Sequence, residues 1–115
     1  MITIKELTDK ILQFRKERDW EQFHTPKDLA ISLSLEASEV LEHFQWKKPE
    51  EMQEYIQNHK EEIGEELADV FNYLLLMSND FGIDLLEVLE KKINKNAEKY
   101  PIEKSKGKST KYTNL

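Results

Sequence analysis

The sequence predicts an all-α protein, a bundle of four to five helices. Apolar residues recur at the three- and four-residue spacing of amphipathic helices, and capping residues precede the segments that carry them. No alternating strand pattern and no glycine-rich phosphate loop occurs, and only 3 glycines are present among 115 residues. A helical bundle is therefore the expected architecture.

A threonine precedes each of the first two helices and is suited to cap it. Thr3 pairs with Glu6 in a capping box. Thr25 is followed by Pro26, whose fixed backbone angle suits the first helical position. The expected extents of these helices are about 3–23 and 25–46.

The later helices are bounded by proline, glycine and aspartate. Pro49 follows a break after the second helix, and Gly82 is suited to the left-handed conformation that closes a long helix. Asp84 is expected to cap the last helix, which Pro101 stops. The expected extents are about 50–57, 58 or 59 to 81, and 84–100.

The chain is expected to form one helical domain that carries any catalytic site, residues 1–100, and a lysine-rich tail, residues 101–115. The net charge of −6 is unevenly distributed. Residues 1–90 hold 9 basic and 21 acidic side chains, whereas residues 91–115 hold 8 lysines and 2 glutamates. The basic segment suits a polyphosphate held beside an acidic cluster, and it is equally typical of a solvated tail.

Composition excludes several classes of function. The chain has no cysteine, which rules out disulfides and thiol nucleophiles. It has no run of 18 apolar residues and no secretory signal pattern at its start, so we expect a cytoplasmic protein without a membrane span. The acidic balance of residues 1–90 would repel a phosphate backbone, so nucleic acid is not an expected partner.

A short pattern occurs twice, 30 residues apart. Each copy has two acids at i and i+3, an apolar pair directly afterwards, and a ring at i+7; the copies are EASEVLEH, residues 36–43, and ELADVFNY, residues 66–73. Positions i, i+3 and i+7 share one stripe of a helix. Leucine, isoleucine, valine, phenylalanine and methionine side chains flank Glu36 and Glu66 on their helices, so both acids are expected to be half-buried.

Four acids at the edge of a core need a compensating charge, because neither copy of the pattern contains lysine or arginine. A divalent cation would provide it. Carboxylate oxygens suit Mg²⁺ or Mn²⁺, and the absence of cysteine disfavours zinc and copper. The alternative interpretation is a solvated helix face, since acids three residues apart recur throughout this highly charged chain.

The helix that carries the second copy is apolar on nearly every side between Leu67 and Met77. Leu75 and Leu76 lie away from the face formed by Leu67 and Leu74. Such a helix is usually surrounded by protein, and a chain of this length has too little core to cover both faces. We therefore expect a homodimer or a dimer of dimers, that is, a homotetramer.

The sequence resembles the MazG-like all-α nucleoside triphosphate pyrophosphohydrolases, and within them the dCTP pyrophosphatase branch. The two acid pairs carry the resemblance, which extends over nearly the whole chain. The further motifs that carry it are ERDWEQFH (17–24), FQW (44–46), EELADV (65–70), YP (100–101) and KYT (111–113).

The resemblance implies hydrolysis of a nucleoside triphosphate between its α and β phosphates, with Mg²⁺, to a monophosphate and pyrophosphate. It implies that the metal ligands are Glu36, Glu39, Glu66 and Asp69. Glu39 is our preferred general base, although the sequence does not separate a ligand from a base. The implied substrate-binding residues are Trp20 and Trp46 at the base, Tyr73 near the sugar or phosphates, and Lys92 and Asn96 on the phosphates.

The preferred base stays open at this stage: the expected substrate is a ribo- or deoxyribonucleoside triphosphate, with dCTP and modified cytosine nucleotides among the candidates. Relatives that prefer dCTP carry a histidine where this chain has Ile11, and the segment between Trp46 and the second acid pair is shorter than in animal relatives. Both differences affect the substrate and not the reaction.

Two other functions remain possible from the sequence. A carboxylate-bundle di-iron protein would need a histidine three residues after Glu36 or Glu66, and neither has one. A non-enzymatic helical interaction module would use the Leu67 to Met77 surface for a partner and leave the acids in solvent.

Overall fold

The structure, a computed structural model, describes all 115 residues and contains six helices and no strand. The all-α prediction is therefore confirmed. The helices are α1 (Ile4–Glu17), α2 (Pro26–Glu42), α3 (Pro49–Asn58), α4 (Lys60–Asp80), α5 (Leu85–Lys99) and α6 (Ile102–Ser105). The predicted caps at Thr3, Thr25 and Asp84 are all present, since each side chain accepts a hydrogen bond from the backbone N–H three residues later.

The first helix ends earlier than predicted. Asp19 has φ of +53°, and the backbone N–H of Trp20 bonds to the carbonyl of Arg15 across a left-handed turn. This is the hydrogen-bond pattern of a Schellman C-cap, a position that aspartate tolerates better than most residues. Helix α1 therefore ends at Glu17, and a separate 3₁₀ turn covers Glu21–Phe23.

The second helix also ends earlier than predicted, at Glu42 instead of about Trp46. The N–H groups of His43 and Phe44 bond three residues back, which tightens the chain into turns before Pro49 starts α3. Gly82 has the expected positive φ, +66°, after the end of α4. Helix α6, which follows Pro101, was not predicted because it is only four residues long.

The chain divides into two compact units, Met1–Phe81 and Gly82–Leu115. In the first unit α2 packs along α4, and α4 also contacts α1 and α3. The centre of this unit is formed by Leu29, Ile63, Leu75 and Leu76, with Leu29 and Leu76 only 1% and 2% exposed. Helix α4 is thus the central element of the unit, and it carries one of the two acid pairs.

The first unit leaves large apolar side chains in solvent. On α4, Leu67, Phe71 and Leu74 are exposed while Leu75 and Leu76 are buried, so the two apolar faces of this helix are confirmed. Helix α2 adds the exposed Ile31, Leu35 and Leu41. An apolar surface of this kind in a soluble protein usually marks an interaction site.

The second unit consists of α5, α6 and a terminal 3₁₀ turn, Tyr112–Asn114. Tyr100 and Tyr112 pack edge to face with their ring centroids 5.9 Å apart, and the Lys99 ammonium lies 4.8 Å from the Tyr112 ring centroid. The lysine-rich segment is therefore folded back on the end of α5. In neither unit does a helix combine the length and hydropathy needed to cross a bilayer.

Candidate active site

Packing of α2 against α4 brings acids from the two copies of the repeated pattern together. Carboxylate oxygens of Glu36, Glu39 and Asp69 all lie within 4.8 Å of one another. Glu36 is half-buried, whereas Glu39 and Asp69 are exposed. Three of the four predicted ligands thus form one cluster, which has an interior wall and an open side.

Glu36 is the acid of this cluster whose charged form is destabilised by its surroundings. Burial raises the pKa of its carboxyl above the ordinary value of 4.5, and the charge of Glu39, a hydrogen bond with Glu39, and the charges of Asp69 and Glu66 raise it further. One oxygen of Glu36, Oε2, is buried without a hydrogen-bond partner. A carboxylate in such a position needs either a proton or a cation.

The fourth predicted ligand, Glu66, is held by a histidine. Its Oε2 pairs with Nε2 of His43, while His43 Nδ1 lies 2.6 Å from the hydroxyl oxygen of Tyr55. If the imidazole donates Nε2–H to the carboxylate, Nδ1 accepts the tyrosine hydrogen, so the chain of contacts sets the tautomer of the ring. The arrangement orients Glu66 at the edge of the acid cluster.

Tyr55 is itself fixed by its neighbours. Its ring stacks on His59 with centroids 4.0 Å apart, and the Lys47 ammonium lies 4.1 Å from the ring centroid. Position i+7 on the stripe of Glu36 was the signal for His43, whereas nothing local marks Tyr55.

A small cavity of about 60 Å³ opens in the same unit, beside Trp20. Trp20 is 43% exposed and packs edge to face on Phe14, with ring centroids 5.6 Å apart. Tyr73, one helical turn beyond Asp69 on α4, also lines the cavity. The cavity wall includes Ile11, Phe14, Trp20, His24, Asn72 and Tyr73.

The remaining predicted substrate residues are all accessible. Trp46 stands in the turns after α2 and is 86% exposed, so it is not a core residue. Lys92 and Asn96 are exposed and lie four residues apart, on one face of α5 in the second unit. The roles of these three side chains stay predictions.

The acid cluster can hold a metal ion. Its ligand atoms are all carboxylate oxygens, the donors preferred by hard divalent cations, and the buried Glu36 Oε2 lacks any other partner. A bound dication would neutralise the mutual repulsion that raises the pKa of Glu36. The residues present therefore fit a divalent metal.

Comparison with known proteins agrees with the all-α fold. The MazG-like family model matches residues 31–115. The chain belongs to the MazG-like family. The match includes both acid pairs, the exposed Trp46, and the whole of α5.

Several characterised proteins are similar to this MazG-like chain. The dCTP pyrophosphatases 1 of Bos taurus and Mus musculus are 36% identical to it over 115 residues, and the human protein is 35% identical. Each alignment covers 98% of this chain and 68% of the relative. A crystal structure of a pyrophosphatase from Archaeoglobus fulgidus is 41% identical and superposes with a TM-score of 0.83 over 88% of this chain and 94% of that one.

Membership of the MazG-like family decides between an enzyme and a non-enzymatic interaction module. The prediction of an enzyme, a nucleoside triphosphate pyrophosphohydrolase, is confirmed, and the non-enzymatic helical module is not supported. The acid cluster is chemically suited to such a reaction, since a cation held there could neutralise charge at the phosphates.

Proposed function

We propose that this MazG-like enzyme hydrolyses a deoxycytidine triphosphate, either dCTP or a modified cytosine nucleotide, to the monophosphate and pyrophosphate. The acid cluster between α2 and α4 is the observation that carries the proposal, because it combines a buried unpartnered carboxylate with two open ones. The similarity to dCTP pyrophosphatases supports cytosine as the base.

The metal in this proposal is Mg²⁺, with Mn²⁺ as a substitute. Glu36, Glu39 and Asp69 would hold it, and Glu66 would join them from its position beside His43. When bound, Mg²⁺ neutralises the triphosphate and polarises the phosphorus that is attacked. Glu39, the exposed acid of the α2 pair, would take the proton of the attacking water as general base.

The binding residues act on the two ends of the substrate. Trp20 and Trp46 offer indole faces for stacking on the base, and Tyr73 offers a hydroxyl to the sugar or phosphates. Lys92 and Asn96 would bind phosphate oxygens through charge and hydrogen bonds. Stacking on Trp20, which lies in the same unit as the acids, would orient the nucleotide so that its α-phosphorus faces them.

A panel of nucleotides tests the proposal directly. Purified enzyme with Mg²⁺ is incubated with each of the four deoxynucleoside triphosphates, with dUTP, and with 5-methyl and 5-hydroxymethyl dCTP, and released pyrophosphate is measured. We expect cytosine nucleotides to show the highest kcat/KM. Release of orthophosphate in place of pyrophosphate, or a preference for purines, would contradict the proposal.

The contact between His43 and Glu66 gives a second prediction. Supporting hydrogen bonds to metal ligands typically contribute about 10- to 100-fold to metal affinity. We expect His43→Gln to weaken Mn²⁺ binding by about 10-fold or more, measured by calorimetry. His59→Gln is the matched control, because His59 stacks on Tyr55 but makes no contact with an acid in the cluster. Equal losses in both variants would contradict a role for His43 in orienting Glu66.

The exposed apolar faces of α2 and α4 give a third prediction. We expect the protein to form a homodimer or homotetramer in solution, because Leu67, Phe71 and Leu74 would otherwise stay in water. Light scattering should give a mass that is two or four times the 13.7 kDa of one chain. Phe71→Glu should lower that mass, and a monomeric wild type would contradict the prediction.

A further inference from the structure

Tyr55 connects α3 to an acid on α4 through a histidine. Its hydroxyl oxygen lies 2.6 Å from Nδ1 of His43, and the other ring nitrogen of His43 contacts the carboxylate of Glu66. Helix α3 itself contributes no acid to the cluster. The tyrosine hydroxyl is therefore the group through which α3 acts on a proposed metal ligand.

The carboxylate of Glu66 fixes the direction of both hydrogen bonds. An ionised carboxylate only accepts, so His43 donates its Nε2–H to Glu66. A neutral imidazole carries one hydrogen, so Nδ1 is then an acceptor and the Tyr55 hydroxyl donates to it. In the other tautomer the lone pair of Nε2 would face the carboxylate. The hydroxyl thus favours the one neutral tautomer in which His43 can hold Glu66.

The ring of Tyr55 is held by several neighbours. It packs edge to face on Phe44 with centroids 6.1 Å apart, stacks on His59 at 4.0 Å, and lies 4.1 Å from the Lys47 ammonium. These neighbours come from the turns after α2 and from the end of α3, so the loss of one leaves the others in place. The hydroxyl is therefore already directed at His43 before any ligand binds.

The contacts lie where water replaces a lost hydrogen bond poorly. The side chains of His43 and Glu66 are only 10% and 26% exposed. A polar atom that loses its partner in such a position keeps much of its desolvation cost. Removing the tyrosine hydroxyl should therefore change the preferred tautomer of the imidazole, and with it the position of the carboxylate.

We propose that Tyr55 is a positioning residue for the metal site. Its hydroxyl sets the tautomer of His43, and His43 in turn holds Glu66 where it can join the other three acids at a bound ion. Tyr55 itself touches neither the ion nor the substrate. This role rests on the proposed function, because it requires Glu66 to be a metal ligand.

Tyr55→Phe tests the role, because it removes the hydroxyl and keeps the ring. We expect the Kd for Mn²⁺, measured by calorimetry without nucleotide, to rise by about 3- to 10-fold. The rate of pyrophosphate release at saturating Mg²⁺ should stay close to that of wild type, since no contact with substrate is lost. Tyr112→Phe is the matched control, because Tyr112 is 40% exposed and lies in the second unit. It should bind Mn²⁺ like wild type.

A double variant shows whether the hydroxyl acts through the histidine. His43→Phe removes both ring nitrogens, so it removes the only route from Tyr55 to Glu66. In the His43→Phe protein, adding Tyr55→Phe should cause no further loss of Mn²⁺ affinity. Losses that add in the double variant would overturn the role, because the hydroxyl would then act independently of His43.

The nitrogen-15 NMR shifts of the imidazole give a readout that a purely structural role would not change. In the metal-free wild type we expect the His43 ring to carry its hydrogen on Nε2, and in Tyr55→Phe we expect a mixture of tautomers. An unchanged tautomer together with an unchanged Kd for Mn²⁺ would overturn the role of Tyr55 alone, even if the variant melts at a lower temperature. A wild type that binds no Mn²⁺ would refute the metal site of the proposed function, and the role of Tyr55 with it.

Discussion

Replacing Glu36 by glutamine is expected to abolish most of the pyrophosphatase activity while leaving the protein folded. Glutamine keeps the size of the side chain and removes the charge, so the cluster loses the carboxylate whose buried Oε2 has no hydrogen-bond partner. The loss of one metal ligand removes several kcal/mol of charge stabilisation from the transition state, so we expect kcat/KM to fall by about 10²- to 10³-fold. Pyrophosphate release at saturating Mg²⁺ measures it.

The raised pKa of Glu36 also predicts how Glu36→Gln affects the stability of the metal-free protein. The pKa of Glu36 is raised in the folded state, so the folded protein binds its proton more tightly than the unfolded chain does. The resulting stability is present below the ordinary value of 4.5 and is lost as pH rises through the folded pKa. At pH 7 we therefore expect Glu36→Gln to melt at the same temperature as the metal-free wild type or above it.

Two controls separate this result from a general effect of charge. Asp69→Asn should reproduce the loss of activity, because Asp69 lies in the same cluster on the facing helix. Glu50→Gln should not, because Glu50 is an exposed acid in the first turn of α3. An active Glu36→Gln enzyme, or a Glu36→Gln enzyme that melts well below the metal-free wild type, would contradict the assignment of the cluster as a metal site.

Loss of the ion pair between Arg15 and Asp80 is expected to give the largest loss of stability among single substitutions of charged residues. The two side chains form a bidentate pair, with N···O distances of 2.8 and 2.9 Å, that joins α1 to the end of α4. Their side chains are 10% and 23% exposed. Arg15→Ala would leave the Asp80 carboxylate in that poorly solvated position.

We expect Arg15→Ala to lower the free energy of unfolding by about 2–4 kcal/mol, less than for a fully buried pair because Asp80 keeps some contact with water. Urea denaturation measures the change. Converting both residues to apolar ones, Arg15→Met with Asp80→Leu, should recover much of the loss, since no unpaired charge remains. A change below about 1 kcal/mol would show that the pair behaves like an exposed salt bridge.

The same pair contributes a pH dependence of known sign. The hydrogen bond from Arg15 lowers the pKa of Asp80 below its ordinary value of 3.8, and it outweighs the opposing effect of burial. The stability that the pair provides is therefore present above pH 3.8 and is lost as pH falls through the folded pKa. Acid unfolding of Arg15→Ala should show a weaker dependence on pH in this range than that of wild type.

The helices and their starts are examples of what short-range sequence patterns determine. Thr3, Thr25 and Asp84 cap the helices that they were predicted to cap, because a side-chain oxygen three residues from a free N–H needs no tertiary contact to find it. The helix ends were predicted less well. The left-handed turn at Asp19 and the tightening after Glu42 depend on backbone hydrogen bonds. No typical C-capping residue at these positions signals them in the sequence.

The sequence by itself determined which acids lie together on a helix face. The i, i+3 spacing places Glu36 with Glu39, and Glu66 with Asp69, on one face each, and the helical period alone ensures this. Which of the four acids lie closest to one another goes beyond what the sequence can decide. The structure joins Glu36, Glu39 and Asp69 closely and gives Glu66 a histidine partner.

Only the tertiary structure decided the contacts across the bundle. Arg15 and Asp80 are 65 residues apart, His43 and Glu66 are 23 apart, and Asn72 and His24 meet at one cavity from different elements. Which residues face each other across two helices depends on how those helices pack, and helical periodicity leaves that relation open. The two acid pairs are therefore a property of local spacing in this chain, whereas the cavity lined by Trp20 and Tyr73 depends on how α1, α4 and the segment before α2 pack together.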